Sequence, residues 1–342
     1  MKYYTLILFL CLSAWLCAKT VQETVKEIND LRKEGKHKAA ATEVDKFMQE
    51  HGENLEWLYA SASLHALAGE KKAAFSALDR SLKMGFVESD WLLEDTDFDS
   101  LKKERKWKSL LGKIQVKRDS IIANLPQTRE KQNPIALPKP SLEGNFSVEE
   151  TLAQRRSVRE YEDQPLTLAE VSQILWAAYG VTKEIAPDRL RGGIKTAPSA
   201  GGLYPLEIYL AAWKVTGLDP GYYLYEPHGH ILYAVRLGNF KNELYSAGYY
   251  QQCINSAPAS LVYSAIYSRT TNKYGSRGRE RYVCMDLGHS GENVYLQAEA
   301  MGFGTVAIGA FNDLQLRTTV LMTREEEPLY IMPFGKKTNL ER

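Results

Sequence analysis

Cysteine is scarce in this chain. Four occur in 342 residues, and two of them, Cys11 and Cys17, sit in the first apolar stretch. The other two, Cys253 and Cys284, are too few for a disulfide framework and lack metal-knuckle spacing, so both are expected as buried free thiols. An excess of one charge is also missing. Lys and Arg number 43 against 42 Asp and Glu, a formal charge of +1, so no overall field recruits nucleic acid. Ser199 is not on a Gly-x-Ser-x-Gly elbow, which argues against a hydrolase nucleophile. Gly302-Phe303-Gly304 lacks the strand-turn-helix context and the later acidic residue of a dinucleotide fingerprint. His289, Glu292 and Cys284 fit no common zinc pattern, so no metal is expected.

The apolar run Leu6 to Leu16 is too short to span a bilayer comfortably. It follows a lone Lys2 and ends at Leu16-Cys17-Ala18, the pattern of an export signal over residues 1–18 cut after Ala18. This implies a periplasmic or secreted protein, with an uncleaved anchor as the alternative.

Next comes an internal repeat. Gly35-Lys36-His37-Lys38-Ala39-Ala40 recurs as Gly69-Glu70-Lys71-Lys72-Ala73-Ala74 at an offset of 34, with glycines to end helices and Ala39 and Ala73 to let helices approach. Residues 19–122 thus resemble the tetratricopeptide repeat, an all-α module that implies a protein partner. Pro126, Pro134, Pro138 and Pro140 then mark an extended linker over residues 123–146.

Residues 147–342 form the second domain. Ser147 and Thr167 open helices. Leu206–Trp213 and Ser260–Tyr267 read as strands, and Tyr222–Tyr225 with Ile231–Val235 as a hairpin. A helix is expected over Leu287–Met301, with short strands at Thr305–Ile308 and Leu329–Phe334. Helices and strands mix without βαβ alternation, which makes this domain α+β.

Arg155-Arg156-Ser157-Val158-Arg159 crowds three guanidinium groups around one hydroxyl, a composition suited to phosphate oxygens. Thr196 to Pro205 holds adjacent glycines that let the backbone approach a flat ligand. The order Arg-Arg-Ser-Val-Arg-x-Tyr, Pro-Ser-Ala-Gly-Gly-Leu-Tyr-Pro, Asp-Leu-Gly-His-x-x-x-Asn, Ala-Ile-Gly-Ala-Phe resembles the nitroreductase family of flavin enzymes. Gly221–Tyr225 and Glu327–Tyr330 resemble its SagB-type branch, which includes thiazoline and oxazoline oxidases.

The resemblance implies a central, mainly antiparallel sheet flanked by helices, and FMN at a homodimer interface. Arg155, Arg156, Ser157 and Arg159 would hold the phosphate, ribityl chain and pyrimidine edge. Pro198, Ser199 and Ala200 would lie near the isoalloxazine, contributed by the partner chain. Gly202 and Tyr204 stand where other members often carry Asn and Gln. Ile308 and Gly309 would present backbone to the flavin N5, and Lys336 is a second phosphate candidate. Azole-forming members use a Lys-Tyr pair as acid and base, which maps onto Lys273 and Tyr274. The many arginines around that pair suggest either a solvated loop or steering of an anionic reductant such as NAD(P)H. The implied activity is hydride transfer between flavin and a small molecule or peptide. The competing reading is a protein-interaction scaffold with a redox-inactive flavin-like domain.

Overall fold

The computed structural model describes residues 17–87, 89–129, 131, 133–186 and 190–338. The export signal expected over residues 1–18 lies outside them, except for Cys17 and Ala18. The chain divides between Asn124 and Leu125 into two units.

The first unit is all helical: α1 (Cys17–Lys33), α2 (His37–His51), α3 (Leu55–Leu67), α4 (Lys71–Lys83), α5 (Ser89–Glu94), α6 (Asp99–Lys102) and α7 (Arg105–Ala123). The offset seen in the sequence recurs in the backbone. Gly35 and Gly69 take φ of +71° and +76°, and equivalent bonds close the preceding helices. Lys36 N–H donates to the Leu31 carbonyl at 2.9 Å, and Glu70 N–H to the His65 carbonyl at 2.8 Å. Ala40 and Ala74, at the same offset, are both fully buried. Ala39 is exposed and Ala73 half-buried. Trp107, Leu110 and Ile114 bury one stripe of α7.

A polar knot ties α2 to α3. The His65 ring lies between Asp45 (2.9 Å) and Glu70 (2.8 Å), and Ser61 donates to Asp45 at 2.6 Å. The Asp45 bond, outweighing burial, raises the His65 pKa above 6.5. The imidazolium therefore stabilises this unit below about pH 6.5, and that contribution is lost as pH rises through the raised value. The thermal midpoint should fall between about pH 6 and about pH 8, and His65→Gln should flatten that fall. An equal fall in the variant would exclude His65 as its source.

The second unit begins with β1 (Pro134–Ala136), α8 (Val148–Gln154), β2 (Leu166–Thr167), α9 (Leu168–Tyr179), β3 (Val181–Glu184) and β4 (Gly193–Lys195). It continues with β5 (Leu206–Ala212), β6 (Val215–Thr216), β7 (Gly221–Glu226), β8 (Ile231–Leu237), α10 (Lys241–Ala247) and α11 (Gln252–Ser256). It ends with β9 (Ala259–Ile266), α12 (Ser268–Tyr274), α13 (Val283–Ala300), β10 (Phe303–Thr305), α14 (Asp313–Val320) and β11 (Glu326–Lys336). Seven strands form one antiparallel sheet in the order β1-β8-β7-β5-β9-β11-β10.

Alternation along the central strands explains why both faces are covered. Leu206, Ile208 and Leu210 of β5 join Tyr263 of β9 and Phe334 of β11 in a core with α9 and α13. Tyr209, Val262 and Ile331 face a second core with α10, α11 and α14. Each large apolar side chain so buried contributes about 1.5–3 kcal/mol. Both predicted helix starts carry complete capping boxes, Ser147 with Glu150 and Thr167 with Glu170.

Three expectations need correction. The run expected as a linker over residues 123–146 contains an edge strand, because Pro134–Ala136 pair with Ile231–Tyr233, where proline's missing N–H is tolerated. The Asp-Leu-Gly-His segment does not start a helix; it lies inside α13, which follows a π-helical turn at Gly278–Tyr282. Cys253 is buried, whereas Cys284 is exposed.

Candidate active site

The Arg cluster leaves α8 at Arg155 and runs along the edge of β10. Val158 N–H donates to the Thr305 carbonyl at 2.9 Å, and Ser157 bridges Thr305. Tyr161 fixes the far end, its hydroxyl donating to the carbonyls of Val158 (2.8 Å) and Pro333 (3.1 Å). Extended backbone then alternates the side chains: Val158 goes into the core, while Ser157 and Arg159 stay exposed. A Cβ on Gly304 would lie 2.5 Å from Val158 Cβ, so only glycine permits this approach.

A residue outside the expected set organises the cluster. The Tyr295 ring, on α13, lies 5.1 Å beneath the Arg155 guanidinium. Its hydroxyl is 3.2 Å from Ser157 Oγ and accepts the Ala307 N–H at 2.8 Å. Arg155, Ser157 and the segment before Gly309 therefore meet on one side chain. Arg156 turns back, donating to the carbonyls of Ala153 (3.1 Å) and Arg155 (2.7 Å), so it contributes charge but is not aimed with Arg155. Among the described residues no carboxylate pairs with Arg155, Arg156 or Arg159. Lys336 is 3.7 Å from Glu170, so its charge is partly offset.

Ile308 and Gly309 differ in what their backbone has free. Ile308 donates to the Ile331 carbonyl at 2.9 Å, and Ile331 donates back at 3.0 Å. That bridge uses the Ile308 N–H. Gly309 is exposed, with no bond to its N–H among the described residues, and is the available donor.

The glycine-rich turn forms a second cluster. Ser199 donates to Asp286 Oδ2 at 2.5 Å, Ala200 N–H donates to Asp286 Oδ1 at 3.2 Å, and Tyr204 N–H donates to Ser199 Oγ at 2.9 Å. Asp286 is 2% exposed; burial raises its pKa, and the Ser199 and Ala200 bonds counter this. Pro198 is exposed beside the turn. Gly202 takes φ of +65°, which L side chains rarely adopt, and a Cβ there would overlap Leu190 Cδ2.

Lys273 and Tyr274 join this cluster. A Cβ on Gly201 would lie 2.6 Å from the Tyr274 hydroxyl and 3.0 Å from Lys273 Nζ. The pair ends a helix, α12, and not a loop. Two of the arginines around it are matched, Arg269 with Glu207 and Arg279 with Glu327, which weakens any steering field. His289 is exposed on α13 and belongs to neither cluster.

Sequence reasoning missed Tyr295, which carries no motif signal. Asp286 was within reach, since it opens a recognised motif and a buried carboxylate needs donors.

Residues 152–336 match the model described as the nitroreductase family. The Methanocaldococcus jannaschii protein MJ1384, which carries the name nitroreductase, is 46% identical over 192 residues, 56% of this chain and 92% of that protein. The trifolitoxin operon protein TfxC of Rhizobium leguminosarum is 24% identical over 216 residues, 60% of each chain. A solved nitroreductase-type structure from Ralstonia eutropha superposes with a TM-score of 0.51 at 31% identity, covering 63% of this chain and 94% of that one. One from Anabaena variabilis gives 0.53 at 26% identity, covering 63% and 44%.

Proposed function

Since the chain belongs to the nitroreductase family, we propose that its second unit is an FMN-dependent oxidoreductase acting as a homodimer. The observation that carries this reading is the run Arg155, Arg156 and Arg159, which meets no carboxylate among the described residues and whose Arg155 guanidinium stacks on Tyr295. Guanidinium forks and the Ser157 hydroxyl suit a phosphate and ribityl chain. Bound FMN supplies the two-electron chemistry. Arg155 and Arg159 anchor the phosphate, Gly309 N–H donates to the flavin edge, and Lys336 adds charge.

Helix geometry favours two copies. Asp286 and Tyr295 are nine residues apart on α13, about 13.5 Å along the axis and about half a turn around it. The glycine-rich turn and the Arg cluster therefore hang from opposite sides of one helix. One chain presents two half-sites, and a second copy completes each. Exposed apolar side chains adjoin the Arg cluster, namely Phe146, Val148 and Leu152, and would be covered in that dimer.

A second reading concerns the substrate. The Lys273 ammonium and Tyr274 hydroxyl flank Gly201, the placement of an acid and base beside a flat ligand. This supports dehydrogenation of a peptide azoline, a reading that the likeness to a toxin-operon protein also favours. The helical unit would dock a protein partner, and residues 1–18 would export the chain.

The purified protein should be yellow and release a chromophore with the mass of FMN. Arg155→Ala with Arg159→Ala removes charge-assisted bonds of about 1.5–3 kcal/mol each, so FMN affinity should fall about 10²- to 10⁴-fold. Full retention of colour would remove the Arg cluster as the phosphate site. A colourless wild-type protein that takes up no added FMN would favour a non-catalytic scaffold.

A further inference from the structure

A cavity of about 230 Å³ opens at the end of the large sheet where β5 and β11 begin and β7 and β9 end. Neither half-site described above lines it. Three carboxylates border it, and each is matched by a cation: Glu326 with Arg129 at 3.2 Å, Glu207 with Arg269, and Glu226 with Lys131. Two further cations, Lys195 and Arg191, remain without a carboxylate among the described residues.

Lys195 is the unusual one. It is 8% exposed. Its ammonium lies 4.0 Å from the centre of the Tyr179 ring and 4.8 Å from that of Tyr204, and it meets no acceptor among the described residues. Cation–π contacts contribute about 0.5–2 kcal/mol, less than it costs to bury a lone charge. Burial accordingly brings its pKa down to about 7, opposed by Glu207 and reinforced by Arg191 and Arg269.

Arg191 adds a separate signal. Its backbone is left-handed (φ 49°, ψ 42°), and Leu190 before it has φ 45°. Two successive non-glycine residues in this region cost about 1–3 kcal/mol each. Leu190 packed against Gly202 holds the turn, and the turn places a guanidinium at the mouth of a cavity that already contains an unmatched ammonium.

We propose that this cavity is a binding site for a small oxyanion, a carboxylate or phosphate, with Lys195 as its buried ligand and Arg191 closing over it. Each bordering carboxylate is already engaged by its own cation, and the Tyr179 face supplies an apolar wall. The inference is independent of the flavin reading.

The test uses full-length protein carrying Arg155→Ala and Arg159→Ala, so that phosphate at the Arg cluster cannot contribute. Inorganic phosphate and succinate are titrated separately by calorimetry below pH 7, where Lys195 is protonated, against sodium chloride of equal ionic strength. Saturable binding of either probe is expected, weakened about tenfold or more by Lys195→Met and by Arg191→Met. Phosphate alone binding identifies a phosphate monoester as the ligand class; succinate alone identifies a carboxylate. No saturable binding of either probe, or binding undiminished in both variants, overturns the proposal. Lys195→Met keeps the stem between the two rings, and Arg191→Met lies at the rim, so a folding defect in one leaves the other to decide.

Discussion

Gly304→Val is expected to abolish FMN binding while leaving the helical unit folded. The Arg cluster reaches its position only because Val158 packs flat on Gly304, where an added Cβ would sit 2.5 Å from Val158 Cβ. Val158 is 1% exposed and packed within the second core. The segment must lift from β10, breaking the Val158–Thr305 bond and carrying Arg155 off Tyr295. Overpacking of this kind costs about 3 kcal/mol. The loss of a preorganised phosphate site should be larger in its effect, leaving FMN substoichiometric even when added in excess. Flavin stoichiometry and chemical denaturation measure the two effects separately. A valine variant with a full complement of flavin would show that the Arg segment does not need this contact.

Asp286→Ala should have the opposite balance, a small change in stability and a large one in activity. Burial raises the Asp286 pKa, so the ionised carboxylate is held at some expense at neutral pH. Removing it relieves that expense while losing two bonds, and the net loss should be about 1–2 kcal/mol. The glycine-rich turn, however, loses both anchors, at Ser199 and at Ala200. Displacing reacting groups by about 1 Å costs about 10²-fold in rate. Turnover with reduced nicotinamide and a quinone acceptor should drop by at least that factor with flavin still bound. Unchanged turnover would mean that the turn holds its shape without Asp286 or plays no part in the reaction.

Local chemistry was legible wherever it acts within a few residues. The helix starts at Ser147 and Thr167, the β7–β8 hairpin and the paired turns at Gly35 and Gly69 are all short-range, and each occurs where its residue types require. The near-continuous apolar run along β5 fits its burial on both faces. The failures are long-range. Nothing near Ile308 announces that Ile331 takes its N–H, because the bridge partner is remote in sequence. Tyr295 carries no motif, and its role exists only once α13 lies against β10. The α13 boundary was misread because the preceding turn is π-helical, which periodicity at 3.6 residues does not reveal. Lys195 was overlooked because a single lysine beside a glycine-rich turn reads as surface; only the two tyrosine faces and the matched carboxylates make it conspicuous.

The pairing of Pro134–Ala136 with β8 bears on how the catalytic unit is prepared by itself. A truncated gene product started at Ser147 would discard that short strand and leave the outer margin of β8 with bare amides and carbonyls, an invitation to stacking between molecules and to insoluble material. Starting at or before Leu125 keeps the sheet margin covered by its own chain.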